Sequence, residues 1–293
     1  MKSVLFATTA LVASAGVAAA QDITFEGSAA AGIGYNDASG NTDAYSSVDF
    51  DVIFSGSTDN GLTFGASIDT SVGTSLDTGE VGSANFDEDP GDPAFVEEDG
   101  TFGLGSIFIS GDFGTLTFAR DDIENVFDDD FDHDFSYEYD VAGFGIFLSY
   151  NLQDSGTPGD EYSLRFDYDG ADAGSVPLSA FIETDDSEEA HIGVAYDITP
   201  EFNAGLEYET DGEITTLLVG YDDGMFSVDA EANSDDEWEL GVGYSDQGFS
   251  IDAVTDQDEE WELTGGYDLG GGLSIVAGTA HTSNWYLGAT MDF

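Results

Sequence analysis

The sequence has no cysteine, and only three of its 293 residues are Lys or Arg, against 62 Asp and Glu. The first absence excludes a disulfide-stapled scaffold. The second leaves a formal net charge of −59 and excludes nucleic acid as a partner, because phosphate binding requires a basic surface. Prolines number five and histidines three. The prolines fall in loops, in turns or among the first residues of strands, where a sheet tolerates them. His133, His191 and His281 are scattered, with no ligand spacing of a zinc site around them. Beyond the N-terminus there is no apolar run long enough for a transmembrane helix. A membrane protein with this sequence must therefore be a closed barrel, since only helices and closed sheets satisfy every backbone group in lipid.

Signatures of catalysis are missing as well. There is no nucleophile elbow with an ordered Ser, His and Asp, and no Gly-rich phosphate loop opening a helix. Paired carboxylates occur everywhere in a chain with 62 of them, so their presence carries no enzymatic information. The chain reads as a non-enzyme that requires no cofactor.

What is present begins with a leader. Met1-Lys2-Ser3 holds the only lysine, Val4 to Val17 is apolar and small, and Val17-Ala18-Ala19-Ala20 precedes Gln21-Asp22. This is the pattern of a secretory signal peptide over residues 1–20, leaving 21–293 as the exported chain. Its acidity does not read as disorder, because 13% aromatic and 41% hydrophobic residues provide material for a sheet. Such self-repulsion suits a saline or calcium-rich medium that screens it.

From Tyr221 to Phe293 one pattern is written three times, at Tyr221, Tyr244 and Tyr267, each followed by a turn and an apolar strand. Short strands starting at Trp238 and Trp261 lead into the second and third tyrosines, and a last one runs from Trp285 to Phe293. Strand side chains alternate between faces. Trp238, Leu240, Val242 and Tyr244 therefore share an apolar face, opposite Glu237, Glu239, Gly241 and Gly243. An aromatic at each end of an apolar stripe is what a lipid-facing strand needs, so Trp238, Tyr244, Trp261, Tyr267, Trp285 and Phe293 are the candidate membrane-interface residues. The span from Trp238 to Tyr244 is about 20 Å of strand and roughly 15 Å of height after tilting, so Phe226 and Phe249 must complete the band.

Alternating strands recur along the whole exported chain, and two kinds of connection alternate between them. One is short and follows a Tyr-Asp pair, as at Tyr139-Asp140, Tyr168-Asp169, Tyr196-Asp197 and Tyr267-Asp268; the other is longer and more acidic, as at 185–189 and 256–260. That is the topology of an up-and-down antiparallel β-barrel with one set of connections on each side of a membrane. A direct count gives 18 strands. Two stretches, Gly73 to Gly100 and Asp121 to Asp134, show no alternation and read as long acidic loops.

Several of these features together resemble a Gram-negative outer-membrane general porin of the alphaproteobacterial type. They are the leader, the segment Phe108-Ile109-Ser110-Gly111-Asp112-Phe113-Gly114-Thr115-Leu116, the near-terminal Tyr267-Asp268-Leu269-Gly270-Gly271-Gly272-Leu273-Ser274-Ile275-Val276 and the terminal Phe293. The resemblance implies an all-β transmembrane barrel of 16 strands in the cell outer membrane, in contact with lipid and lipopolysaccharide and usually a homotrimer. It implies that the loop at 73–100 reaches over a neighbouring subunit and that the third external loop, at about 121–134, folds into the lumen. The terminal strand, with Leu287, Ala289, Met291 and Phe293, resembles the signal read by the outer-membrane assembly machinery. In the family an arginine and lysine cluster faces the acidic loop; here only Arg120 and Arg165 are available.

An inward third loop would place Asp121, Asp122, Glu124, Asp128, Asp129, Asp130, Asp132 and Asp134 at a constriction, with Arg120 at its root. Clustered carboxylates in a narrow bore attract cations and repel anions. Arg165 has the opposite parity to Tyr162, Leu164, Phe166 and Tyr168, so it points into the bore near Asp167 and Glu161. Asp87, Glu88, Asp89 and Asp92 form an oxygen-rich cluster suited to weak calcium binding, without the ligand spacing of an EF-hand. The functional expectation is a water-filled, cation-selective pore for passive diffusion of small hydrophilic solutes and ions. The alternatives are a structural barrel without an open channel and a secreted acidic calcium-binding β protein.

Overall fold

The computed structural model describes residues 21–37, 40–76, 95–99, 103–127, 132–152, 161–170, 176–187 and 189–293. The leader at 1–20 and the acidic cluster at 87–92 lie outside these. The described chain is built of strands, with no helix among the described residues. In order they are β1 (Gln21–Asn36), β2 (Asn41–Ser57), β3 (Thr63–Leu76), β4 (Phe95–Asp99), β5 (Gly103–Gly111), β6 (Gly114–Glu124) and β7 (Asp132–Val141). There follow β8 (Phe144–Tyr150), β9 (Tyr162–Asp169), β10 (Leu178–Asp185), β11 (Ala190–Thr199), β12 (Phe202–Glu209) and β13 (Thr215–Asp222). The last six are β14 (Phe226–Asn233), β15 (Trp238–Asp246), β16 (Phe249–Asp256), β17 (Trp261–Gly270), β18 (Leu273–Ala280) and β19 (Trp285–Asp292).

Each strand pairs antiparallel with its neighbours, and β1 pairs with β19 from Ser28↔Asp292 to Tyr35↔Trp285, which closes the sheet. β4 and β5 share one lane: β4 pairs with Val72 to Leu76 at one end of β3, and β5 pairs with Thr63 to Asp69 at the other. The nineteen strands therefore make 18 staves. This agrees with the direct count and corrects the 16 that the resemblance implies. It also corrects the loop at 73–100, because β3 runs to Leu76 and β4 continues the barrel wall inside that stretch. Alternation was not visible there because β4 has only five residues, Phe-Val-Glu-Glu-Asp.

The burial pattern is inside out. Among the described residues, 43 large apolar side chains are exposed while three hydrophobic residues are buried, and the buried set is dominated by Ser, Asn, Asp, Glu and His. A soluble protein with that much apolar surface would aggregate; a lipid-facing wall requires it. Strands of eight residues, the commonest length from β9 onward, cover about 26 Å, or roughly 20 Å of height at a ~40° tilt. Eighteen staves about 4.8 Å apart at that tilt enclose a backbone cylinder of radius ~18 Å. Facing sheets fill only about 10 Å between them, so inward side chains cannot meet across this barrel and its axis is left to water.

Candidate functional site

Inward parity and cross-strand register together build a charged belt on β9 to β12. Register sets Arg165 opposite Glu183 and Glu183 opposite His191. Arg165 Nη1 donates to Glu183 Oε1 at 2.5 Å, and its Nε lies 3.7 Å from Asp167 Oδ1. The guanidinium stacks 4.9 Å above the Phe181 ring, and the same ring meets His191 edge-on at 4.9 Å. Glu183 is 4% exposed, and its second oxygen is 3.3 Å from His191 Nδ1. His191 Nε2 is 3.2 Å from Glu207 Oε2. A chain of alternating charge thus runs around the wall across four strands.

Beyond it the charged side chains of the wall are acidic. Glu231 stands opposite Glu239, and Glu239 opposite Asp256. With Glu207, Glu209 and Glu237 these carboxylates line a recess of about 330 Å³. Like charges directly opposed across strands repel, so this row requires water and counter-ions between its members. That electrostatic demand agrees with the barrel's width in making the interior wet.

The start of the β6–β7 connection, through Phe127, lies against the inner wall. Three extra residues bulge from β6 between Phe118 and Ile123, and Ile123 and Asn125 are buried. Val126 N donates to Ser163 Oγ at 3.1 Å. Ser163 Oγ is 2.6 Å from Ser149 Oγ, which is 2.6 Å from His133 Nδ1, and all three side chains are fully buried. Ser163 has the inward parity of Arg165, so the segment through Val126 crosses the lumen side of β9, next to the charged belt.

The sequence-predicted residues fall unevenly on this geometry. Arg120, Asp121, Asp122 and Glu124 belong to β6 and Asp132 to β7; their side chains, and residues Asp128, Asp129 and Asp130, lie outside the described part. Asp134 is buried, and its Oδ2 accepts from Leu152 N at 2.9 Å, so it binds the wall backbone. Arg165 and Asp167 meet as expected. Glu161 instead accepts from Tyr150 Oη at 3.3 Å, because it precedes β9 by one residue and sits about 13 Å along the strand from Arg165. Asp87, Glu88, Asp89 and Asp92 lie outside the described residues, and no group of metal-type ligands occurs among the described ones. Sequence reasoning missed Glu183, His191 and the row at Glu231, Glu239 and Asp256. Their inward parity was available; the register that brings them together was not.

On the outer face Trp238, Trp261 and Trp285 are exposed near the ends of their strands, with Trp285 stacked on Tyr35 at 6.5 Å. Toward the short-turn end Phe226 packs on Tyr244 at 5.1 Å and Phe249 lies 6.3 Å from it, with Tyr267 and Phe293 exposed nearby. The two aromatic bands flank the apolar stripe.

A closed antiparallel barrel that is apolar outside, acidic inside and too wide to fill is a transmembrane β-barrel of the outer-membrane channel class. The chain belongs to the Gram-negative porin family, whose model matches residues 7–285. No curated protein matches it in sequence. Among solved structures, a variant of the Rh. blastica porin with three substitutions aligns at TM-score 0.54 and 15% identity, covering 93% of this chain and 100% of that one. A triple mutant of the same Rhodopseudomonas blastica porin gives the same values, and a further variant gives TM-score 0.54 at 14% identity with the same coverage. At such identity the likeness is one of fold. The protein is a Gram-negative outer-membrane porin.

Proposed function

We propose that this porin is a water-filled, cation-preferring channel for passive diffusion of small hydrophilic solutes and ions. The observation that carries the reading is the row of opposed lumen carboxylates, Glu231, Glu239 and Asp256, beside a belt whose arginine is already bound by Glu183. A monovalent cation about 5 Å from one carboxylate gains about 0.8 kcal/mol even at the dielectric of water. That enriches it roughly fourfold and depletes an anion by the same factor, and neighbouring carboxylates multiply the effect. Hydrophilic solutes enter because the wall offers hydroxyls, amides and carboxylates where a plug would need apolar packing. The segment through Val126, pinned to Ser163, narrows the bore on the β9 side and holds passing ions near the belt.

The porin works as a homotrimer embedded in lipid and lipopolysaccharide, and its last strand presents Leu287, Met291 and Phe293 outward to the assembly machinery. The test is single-channel recording of purified protein across a potassium chloride gradient. Stepwise conductance with a cation-selective reversal potential is expected. Anion preference would refute the acidic-lumen account, and silence from folded, inserted protein would refute the open channel.

A further inference from the structure

His191 is the one histidine whose two ring nitrogens are both shown within ion-pair distance of carboxylates among the described residues. A neutral imidazole has one N–H and one lone pair. With Nδ1 at 3.3 Å from Glu183 and Nε2 at 3.2 Å from Glu207, a neutral ring between two ionised carboxylates would set one nitrogen lone pair against an oxygen lone pair. The bridge therefore holds one proton more than a neutral histidine and two carboxylates. When that proton leaves, one contact must open.

The surroundings decide which. On β10, Glu183 is 4% exposed and clamped by Arg165 of β9, while Asp185 is turned to Ser187 N and Oγ. On β12, Glu209 is the register partner of His191, and the Glu207 side chain is 27% exposed. Asp167 of β9 lies on Arg165. Along its own run Glu189, just before β11, shares the parity of His191 two residues away, and Asp197 lies six residues or about 20 Å on. Glu183 cannot swing out without giving up its contact with the Arg165 guanidinium, whereas Glu207 already borders the acidic recess.

Building on the channel reading above, we propose that His191 is a proton-operated selectivity determinant of the bore. Protonated, it ties Glu207 to the wall and cancels one lumen charge. Deprotonated, it keeps its Nδ1–H on Glu183 and releases the Glu207 carboxylate to the permeation path, so cation preference rises with pH in a one-proton step.

The experiment is the reversal potential of the full-length protein in a planar bilayer, in a potassium chloride gradient, titrated across about pH 5 to 8, where an imidazole changes charge. Wild type should show the step, H191Q should lose it, and H281Q, altered at an imidazole 3.4 Å from Glu260 near the β18–β19 turn, should keep it. Nitrogen-15 NMR of the wild-type imidazoles gives a second reading that does not depend on a variant folding. It should show the His191 ring doubly protonated at the acid end and as the Nδ1–H tautomer at the basic end. A conducting H191Q channel that retains the step, or a ring that keeps one protonation state throughout, overturns the proposal and leaves the porin reading intact. Folded protein that never conducts overturns the channel reading and this proposal with it.

Discussion

Replacing Gly288 by alanine should loosen the seam that closes the barrel. Gly288 of β19 pairs with Gly32 of β1, and Gly32 pairs with Tyr45 of β2. The buried Tyr45 ring lies across both glycines. A Cβ at Gly288 would collide with Tyr45 Oη and stand 2.8 Å from Ala31 O. The ring can turn aside, but the Ala31 carbonyl belongs to the β1 backbone, so the strands themselves must shift. Overpacking of this kind costs about 1–3 kcal/mol, and 2 kcal/mol is roughly a thirtyfold change in the folded-to-unfolded ratio. The urea midpoint, followed through Trp238, Trp261 and Trp285 fluorescence, should fall accordingly. Y45F/G288A should recover only part of the loss, since the carbonyl clash remains. G241A is the control: its Cβ meets nothing nearer than Asp229 O at 3.8 Å, and it should be neutral or slightly stabilising. Equal midpoints for wild type, G241A and G288A would refute the account of the seam.

Arg165→Gln should leave Glu183 buried without its guanidinium, at a cost of about 1–3 kcal/mol, read as a lower urea midpoint together with stronger cation selectivity; an unchanged midpoint would mean that His191 and water satisfy Glu183 on their own. Raising potassium chloride from about 0.1 to 1 M shortens the screening length from ~10 to 3 Å, so for a chain of net charge −59 the thermal midpoint should rise, and a flat response would show that self-repulsion does not limit stability. In the β13–β14 turn the Phe226 and Met225 amides hold the Asp223 carboxyl below the usual aspartate range, assisted by Tyr221 and opposed by a little desolvation. A depressed carboxyl stabilises the fold above its unfolded pKa and loses that contribution as pH falls through its folded pKa. The stability difference between wild type and D223N should therefore be constant at neutral pH and shrink below about pH 4; a difference that grows on acidification would contradict the turn geometry.

Much of the barrel was legible because parity is a local property of a strand. Leu164, Phe166 and Tyr168 alternate with Arg165 and Asp167, and that alone sends the arginine inward. Counting alternating segments reached 18 staves, whereas resemblance to better-known relatives implied 16, because the number of hairpins is free to change while each hairpin keeps the same chemistry. What parity does not supply is register. Arg165 meets Glu183 only because the β9–β10 connection at 170–177 has its particular length, and one residue more or less would bring a different neighbour alongside. The belt through His191 and the row from Glu231 to Asp256 depend on several such registers in succession. β4 was hidden for another reason: five residues are too few to establish a period.

The pairing of Gly27 with Phe293, through a backbone hydrogen bond in each direction at 3.1 and 3.0 Å, ties the first half of β1 to the residue that follows β19. The sheet is in effect a ring in which the β19–β1 pair is the one closed without a connection between them. Rejoining the ends through a short linker and opening the ring at a tight, exposed turn such as 270–272 would give a permuted chain with the same eighteen staves. The native order has one consequence that such a permutation would move. The seam joins β1 to β19, so a nascent or truncated chain lacking β19 keeps two unpaired strand edges, and the circle is completed only once β19 is in place.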